Sequence, residues 1–188
     1  MTPLVAASLT LPVSERDRIP GPMTAPVTLV EYGDYECPYC SQAHVVVQAL
    51  TQLLGNLLCF VYRQFPLTNM HPHAQHAAEA AEAAGAQGKF WEMHACLFAH
   101  QPTLSDIHLV GYATALGLDV ARFCHEMAQH RHAARVHQDF LSGVQSGVNG
   151  APTFFINGVR YDGAFDLAAL SAAIKDVAEK QRRWEAYC

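Results

Sequence analysis

Glu31-Tyr32-Gly33-Asp34-Tyr35-Glu36-Cys37-Pro38-Tyr39-Cys40 is the stretch whose reading decides the fold of this chain. Leading into it, Val27-Thr28-Leu29-Val30-Glu31-Tyr32 is β-branched and aromatic, which predicts a strand that ends where Gly33-Asp34 turns the chain. Beyond it, Pro38 suits the first turn of a helix, and Ala43, Val47, Leu50 and Leu54 recur at helical spacing until Gly55 supplies a stop. Two cysteines therefore stand between a strand and the N-terminus of a helix. There the unpaired backbone N–H groups and the helix dipole favour a thiolate on Cys37. Cys40, one turn further in, is placed to form or resolve a disulfide with it and to be less exposed to a large substrate.

Working outward, Leu57-Leu58-Cys59-Phe60-Val61-Tyr62 is an apolar run of strand length, and with the preceding helix it makes a βαβ unit with parallel strands. From about His71 to Ser146 the chain reads as helical throughout. The segments are an Ala-rich one from Ala74, then Phe90 to Ala99, Ser105 to Leu116, and a stretch from Asp119 onward. Ser105 and Asp119 are expected N-caps and Gly117 a stop. Trp91 with Phe90, Met93 and Phe98 reads as core of this helical part. After Gly150 the period changes: Thr153-Phe154-Phe155-Ile156 and Val159-Arg160-Tyr161 flank Asn157-Gly158, the dipeptide that type I′ hairpin turns prefer. Asp166 is expected to cap a last helix with Leu167, Leu170, Ile174 and Val177 as its inward stripe.

Composition narrows the function classes. The chain has 188 residues, 51% of them hydrophobic and 15% charged, which fits a folded globular protein long enough for one core with an elaboration. A net charge of -5 and the lack of any Lys/Arg-rich run exclude a phosphate-binding face, so nucleic acid is not an expected partner. No apolar run approaches the roughly 18 residues of a membrane span, and a soluble protein is expected. Met1-Thr2-Pro3-Leu4-Val5-Ala6-Ala7-Ser8 has no basic residue ahead of it and reads poorly as a signal peptide. Six cysteines are too sparse for a disulfide scaffold; Cys59, Cys96 and Cys124 are expected as small buried hydrophobes, and Cys188 as an inert exposed thiol.

Two cysteines at this spacing are also half of many zinc sites, for which His71, His73 and His76 are the histidines to hand. No second such pair exists, and strand-before with helix-after favours redox chemistry, so no metal and no other cofactor are expected. His125, His130, His132 and His137 do not share a ligand spacing and read as solvated surface groups on helix.

Together, residues 31–40, the long helical insert and Gly150-Ala151-Pro152-Thr153-Phe154-Phe155-Ile156-Asn157-Gly158 resemble the DsbA-like thioredoxin family, over about Val27 to Val177. The fold class this implies is α/β, a thioredoxin-like mixed sheet with an inserted helical subdomain. Residues 1–24 would be an N-terminal extension, 25–66 and 148–188 the thioredoxin-like core, and 67–147 the insert. The resemblance implies that Pro152 is cis and faces the cysteines, with the Ala151 backbone pairing with an extended substrate beside Cys37. Taken alone, Pro152 would read rather as an ordinary trans proline opening a strand. It further implies that Glu31, six residues before Cys37, is a buried acid with a raised pKa that exchanges a proton with Cys40; taken alone, Glu31 reads equally as a solvated strand-end residue. An apolar groove around Tyr35, Tyr39 and the Pro152 loop is the implied place for substrate.

The activity implied is thiol–disulfide exchange on protein cysteines, as oxidase, isomerase or reductase. The partners would be a cysteine-containing protein substrate and a recycling partner: glutathione, a thioredoxin system or a membrane oxidase. One departure bears on direction: DsbA itself has Pro-His between its cysteines, whereas Pro38-Tyr39 is the glutaredoxin pair and brings no positive charge. Without a signal segment a cytoplasmic location is expected, with a periplasmic or other extracytoplasmic one open. Two other readings stay open: a glutathione-dependent transferase or isomerase of related fold, and a non-enzymatic metal-binding module.

Overall fold

The computed structural model describes residues 7–21 and 23–187, so the expectations for Met1–Ala6 and for Cys188 lie outside the described residues. Four strands form one mixed sheet in the order β2-β1-β3-β4. β1 (Val27–Gly33) and β2 (Leu58–Gln64) run parallel, linked by α1 (Pro38–Leu54) and a short 3-10 turn. β3 (Thr153–Ile156) pairs antiparallel with β1, and β4 (Val159–Tyr161) with β3. Asn157 and Gly158 between them have φ of 46° and 81°, the left-handed pair a type I′ turn demands.

Between β2 and β3 come five helices: α2 (Ala74–Gly85), α3 (Phe90–Ala99), α4 (Asp106–Ala115), α5 (Val120–Ala128) and α6 (Ala133–Gln145). The stretch from Asp119 is thus two helices, not one, because the chain reverses at His130 with φ of 47°. α2 is buried nearly all round; its alanines at 77, 78, 80, 81, 83 and 84 have no bulk, so neighbouring helices close onto it. Asp119 caps α5 by accepting from the Arg122 N–H, and Asp166 caps α7 (Leu167–Glu185) by accepting from the Ala169 N–H. Ser105 precedes α4 but its hydroxyl engages His108 Nδ1 at 2.7 Å instead of capping. On α7, Leu170 and Ile174 are fully buried, Val177 partly, whereas Leu167 at the first turn is exposed.

Alternation along the strands sends residues to two separately covered faces. Leu29, Phe60, Tyr62, Phe154 and Ile156 meet α1, α3 and α7 in the larger core. Val30, Tyr32, Val61 and Phe155 meet Phe65, Phe140 of α6 and a strap formed by residues preceding β1. That strap carries Leu9, Val13 and Ile19 over the sheet and is hydrogen-bonded at both ends: Leu9 N–H donates to Gly158 O, and Tyr62 N–H donates to Arg18 O. Beneath it Arg63, with a fully buried side chain, is held by Asp17 through Nε at 2.8 Å and Nη2 at 3.1 Å, with Nη1 donating to the Tyr32 hydroxyl and Leu11 O.

Candidate active site

Cys37 is the N-cap of α1, with φ -76° and ψ 123°, and Pro38 fills the first helical turn where no N–H is required. The Cys40 thiol donates to Cys37, and the backbone N–H groups of Cys40 and Tyr39 add to this. Against the opposition of burial and of the Asp34 charge, they lower the Cys37 pKa to about 6. Cys40 is fully buried, and its pKa is raised by burial, by the proton it shares with Cys37 and by the nearby Glu31. One thiol is thus primed to ionise and the other to keep its proton. Cys59 is buried as expected, but Cys96 and Cys124 are only half-buried.

Across from the pair lies the turn before β3. The Ala151-Pro152 peptide bond is cis, and Cys37 Sγ donates to Ala151 O at 3.3 Å. Ala151 and Pro152 keep partial exposure, and Tyr39, in the first turn of α1, stands out in solvent. Tyr35 does not line this groove, contrary to expectation. It is buried among Tyr62, His94 and Phe98, and its hydroxyl meets His94 Nδ1 at 3.0 Å. An aromatic ring followed by a turn is as easily folded under as left out, and the insert supplies the rings that cover this one.

Glu31 lies beneath the cysteines at 2% exposure, not solvated. Burial first, and then the charge of Cys37, raise its pKa to about 8. Its Oε1 and the hydroxyl of Tyr62, its cross-strand neighbour, have no hydrogen-bond partner. Gly33 is glycine because Tyr62 crosses it: an added Cβ would lie 2.6 Å from the ring. An acid whose pKa rises on folding costs stability as pH climbs, from about 4.5 until the cost levels off above about 8. Glu31→Gln should therefore gain on the wild type across that window, by about 3–4 kcal/mol at its upper end. Urea midpoints measured at both ends of the window check this; a constant difference between the two proteins would contradict it.

Three residues hold places at the site that local sequence reasoning did not assign them. Asp34, 1% exposed, accepts from the N–H groups of Glu36 and Leu67 and from His71 Nδ1 at 2.8 Å, while its own N–H donates to Cys40 Sγ. Gln101, beyond α3, donates to the carbonyls of Tyr35 and Cys37 at 2.8 and 2.9 Å and so fixes the entry to α1. His71 is the third. The histidines weighed as zinc ligands go to separate carboxylates: His71 to Asp34, His73 to Glu36 and His76 to Asp106. Among the described residues no three His, Cys, Asp or Glu converge as a metal ligand set. His130 and His132, expected as solvated helix residues, lie between α5 and α6 and pair with Glu79 and Glu126.

A thiol pair of opposite acidities at the head of a helix, opposite a cis-proline turn on a four-stranded mixed sheet, defines a thioredoxin-fold protein with a dithiol site. A family model described as thioredoxin matches residues 14–176, and the chain belongs to that family. Among solved structures, a thioredoxin-like oxidoreductase from Silicibacter pomeroyi is 27% identical with a TM-score of 0.77, over 90% of this chain and 94% of that one. BdbD from Bacillus subtilis, 21% identical, superposes with a TM-score of 0.81 over 93% and 98%. Curated relatives carry another name. Na(+)/H(+) antiporter NhaA 1 of Salinispora arenicola is 52% identical over 167 residues, 88% of this chain and 26% of that protein. The NhaA antiporter of Herminiimonas arsenicoxydans is 42% identical over 161 residues, 86% and 25%. The chain therefore spans about a quarter of the length of the curated relatives it matches. Among the described residues no helix is long and apolar enough to cross a membrane.

Proposed function

We propose that this chain is a protein thiol–disulfide oxidoreductase working through Cys37 and Cys40. The observation that carries the reading is the split between the two thiols, Cys37 lowered to about 6 and Cys40 raised, with the cis Ala151-Pro152 turn facing the first. The Cys37 thiolate attacks a substrate disulfide, forming a mixed disulfide and expelling the other substrate sulfur, which takes up a proton from solvent. Cys40 then gives its proton to Glu31 and attacks Cys37 Sγ, so that the substrate leaves as a dithiol and Cys37–Cys40 as a disulfide. Run in reverse, the same steps oxidise a substrate dithiol. Substrate backbone is received by Ala151, with Tyr39 as an exposed apolar contact; cysteine-bearing polypeptide is the substrate class.

Acidity sets the direction by magnitude. A Cys37 pKa of about 6 lies nearer thioredoxin's, about 7 with about -270 mV, than DsbA's, about 3.5 with about -120 mV, so the couple is expected on the thioredoxin side of that range. That favours isomerase or reductase over a strong oxidant, with glutathione or a thioredoxin system as recycling partner. Equilibration against glutathione buffers, with the disulfide followed by mass, tests it. A potential near -120 mV would reverse the direction, and failure of Cys37 and Cys40 to pair would sink the redox reading. The antiporter name belongs to proteins more than three times this length. We assign to this chain the thiol chemistry, as a unit that those antiporters share.

A further inference from the structure

The loop between β2 and α2 is fastened to the turn that carries the cysteines, and it brings His71. Asp34 is the reason His71 sits there: its Oδ2 takes both the Leu67 N–H and His71 Nδ1, each at 2.8 Å, which pins the loop to the turn that carries the dithiol. A buried carboxylate in this place is a liability for a thiolate. The Asp34 charge works against ionisation of Cys37, and the Pro38-Tyr39 dipeptide brings nothing to counter it. His71 does counter it. Burial disfavours its charged form, but the hydrogen bond and charge of Asp34 more than offset that, and Cys37 and Glu36 act in the same direction, so its pKa is raised.

We propose that His71, clamped on Asp34, is a positioning cation for this dithiol: it neutralises the Asp34 carboxylate and so holds Cys37 as a thiolate. The inference rests on the reading of Cys37 as the attacking sulfur. The coupling is reciprocal, because a thiolate that favours the imidazolium is favoured by it to the same extent. The titratable groups facing His71 are Asp34 and Glu36 from the turn before α1, Cys37 at the helix start, and none of these supplies another cation. His73, on the same loop, is held by Glu36 through both its backbone N–H and Nδ1. His71 keeps part of its surface in water, its side chain 16% exposed, so its substitution leaves the core intact. As the pH rises through its raised pKa the imidazolium is lost, and with it the support it lends the thiolate.

The test is a pH titration of the reduced protein, following the ultraviolet absorbance of the thiolate, with wild type, His71→Gln, His71→Lys and the double variant Asp34→Asn/His71→Gln. His71→Gln leaves the Asp34 charge unopposed and should move the Cys37 midpoint up by about one pH unit. His71→Lys keeps a cation and should hold the midpoint near the wild-type value, and the double variant, which removes both charges, should return toward it. Equal displacement by Gln and Lys, or no displacement by Gln, would overturn the proposal, since a role in loop packing alone does not distinguish charge. A wild-type midpoint at an ordinary thiol value would instead refute the reading of Cys37 itself. The rate of alkylation against pH gives the same midpoint independently of the absorbance of other thiols.

Discussion

Cys40→Ser accumulates a disulfide between Cys37 and its substrate and loses steady turnover. In the wild type the sulfur that resolves the mixed disulfide is already one helical turn away, with Glu31 beneath it to take the proton. In the variant, release depends on a thiol arriving from solution. Exchanging an intramolecular attack for a bimolecular one costs more than about 10²-fold even against millimolar glutathione. Non-reducing electrophoresis or mass measurement should show the covalent adduct, and adding strong reductant should release it. A Cys40→Ser protein that turns over at the wild-type rate with glutathione would mean a monothiol transferase. Cys37→Ser, which removes the attacking sulfur, should form no adduct at all.

The largest effect on stability is expected at Asp17. Its carboxylate grips Arg63 with two hydrogen bonds, and both side chains are fully buried. Replacing a buried pair outright is often tolerated, but removing one partner strands a charge that water cannot reach. Asp17→Ala should therefore cost about 3–5 kcal/mol, read as a lower urea midpoint and a fall in Tm of about 10 °C. The remaining acceptors of Arg63, the Tyr32 hydroxyl and backbone carbonyls of the strap, carry no full charge to compensate. The double variant Asp17→Ala/Arg63→Met removes the stranded charge and should recover part of the loss. A single-variant cost under about 1 kcal/mol would show that the strap opens to let water reach Arg63.

What could be read from the sequence was what short-range chemistry encodes. The β-branched run into Gly33, the proline after Cys37, the Asn157-Gly158 turn and the caps at Asp119 and Asp166 are each decided within a few residues. Their order carried the family resemblance, and the resemblance implied the fold class. Illegible were contacts made across long sequence separations. Asp34 looks like a turn residue until Leu67 and His71 close on it, and Gln101 has no local pattern that points to the carbonyls of Tyr35 and Cys37. Tyr35 was misplaced for the same reason, because whether a ring is covered depends on α3, which arrives about sixty residues later. The reversal at His130 escaped notice because a non-glycine residue with positive φ leaves no mark in composition.

The strap before β1 has a consequence for how a protein with the proposed function would survive among unfolded substrates. A sheet of four strands has two outer strands, here β2 and β4, and each offers a row of unpaired backbone groups on which an unfolded polypeptide can grow another strand. Ser8 bridges to Val159 on one of these and Arg18 to Tyr62 on the other, so a single segment blunts both. A catalyst that meets incompletely folded chains is thereby less apt to be drawn into their aggregates. Under the proposed function, extended backbone would be received instead at the Ala151 turn, beside the Cys37 sulfur.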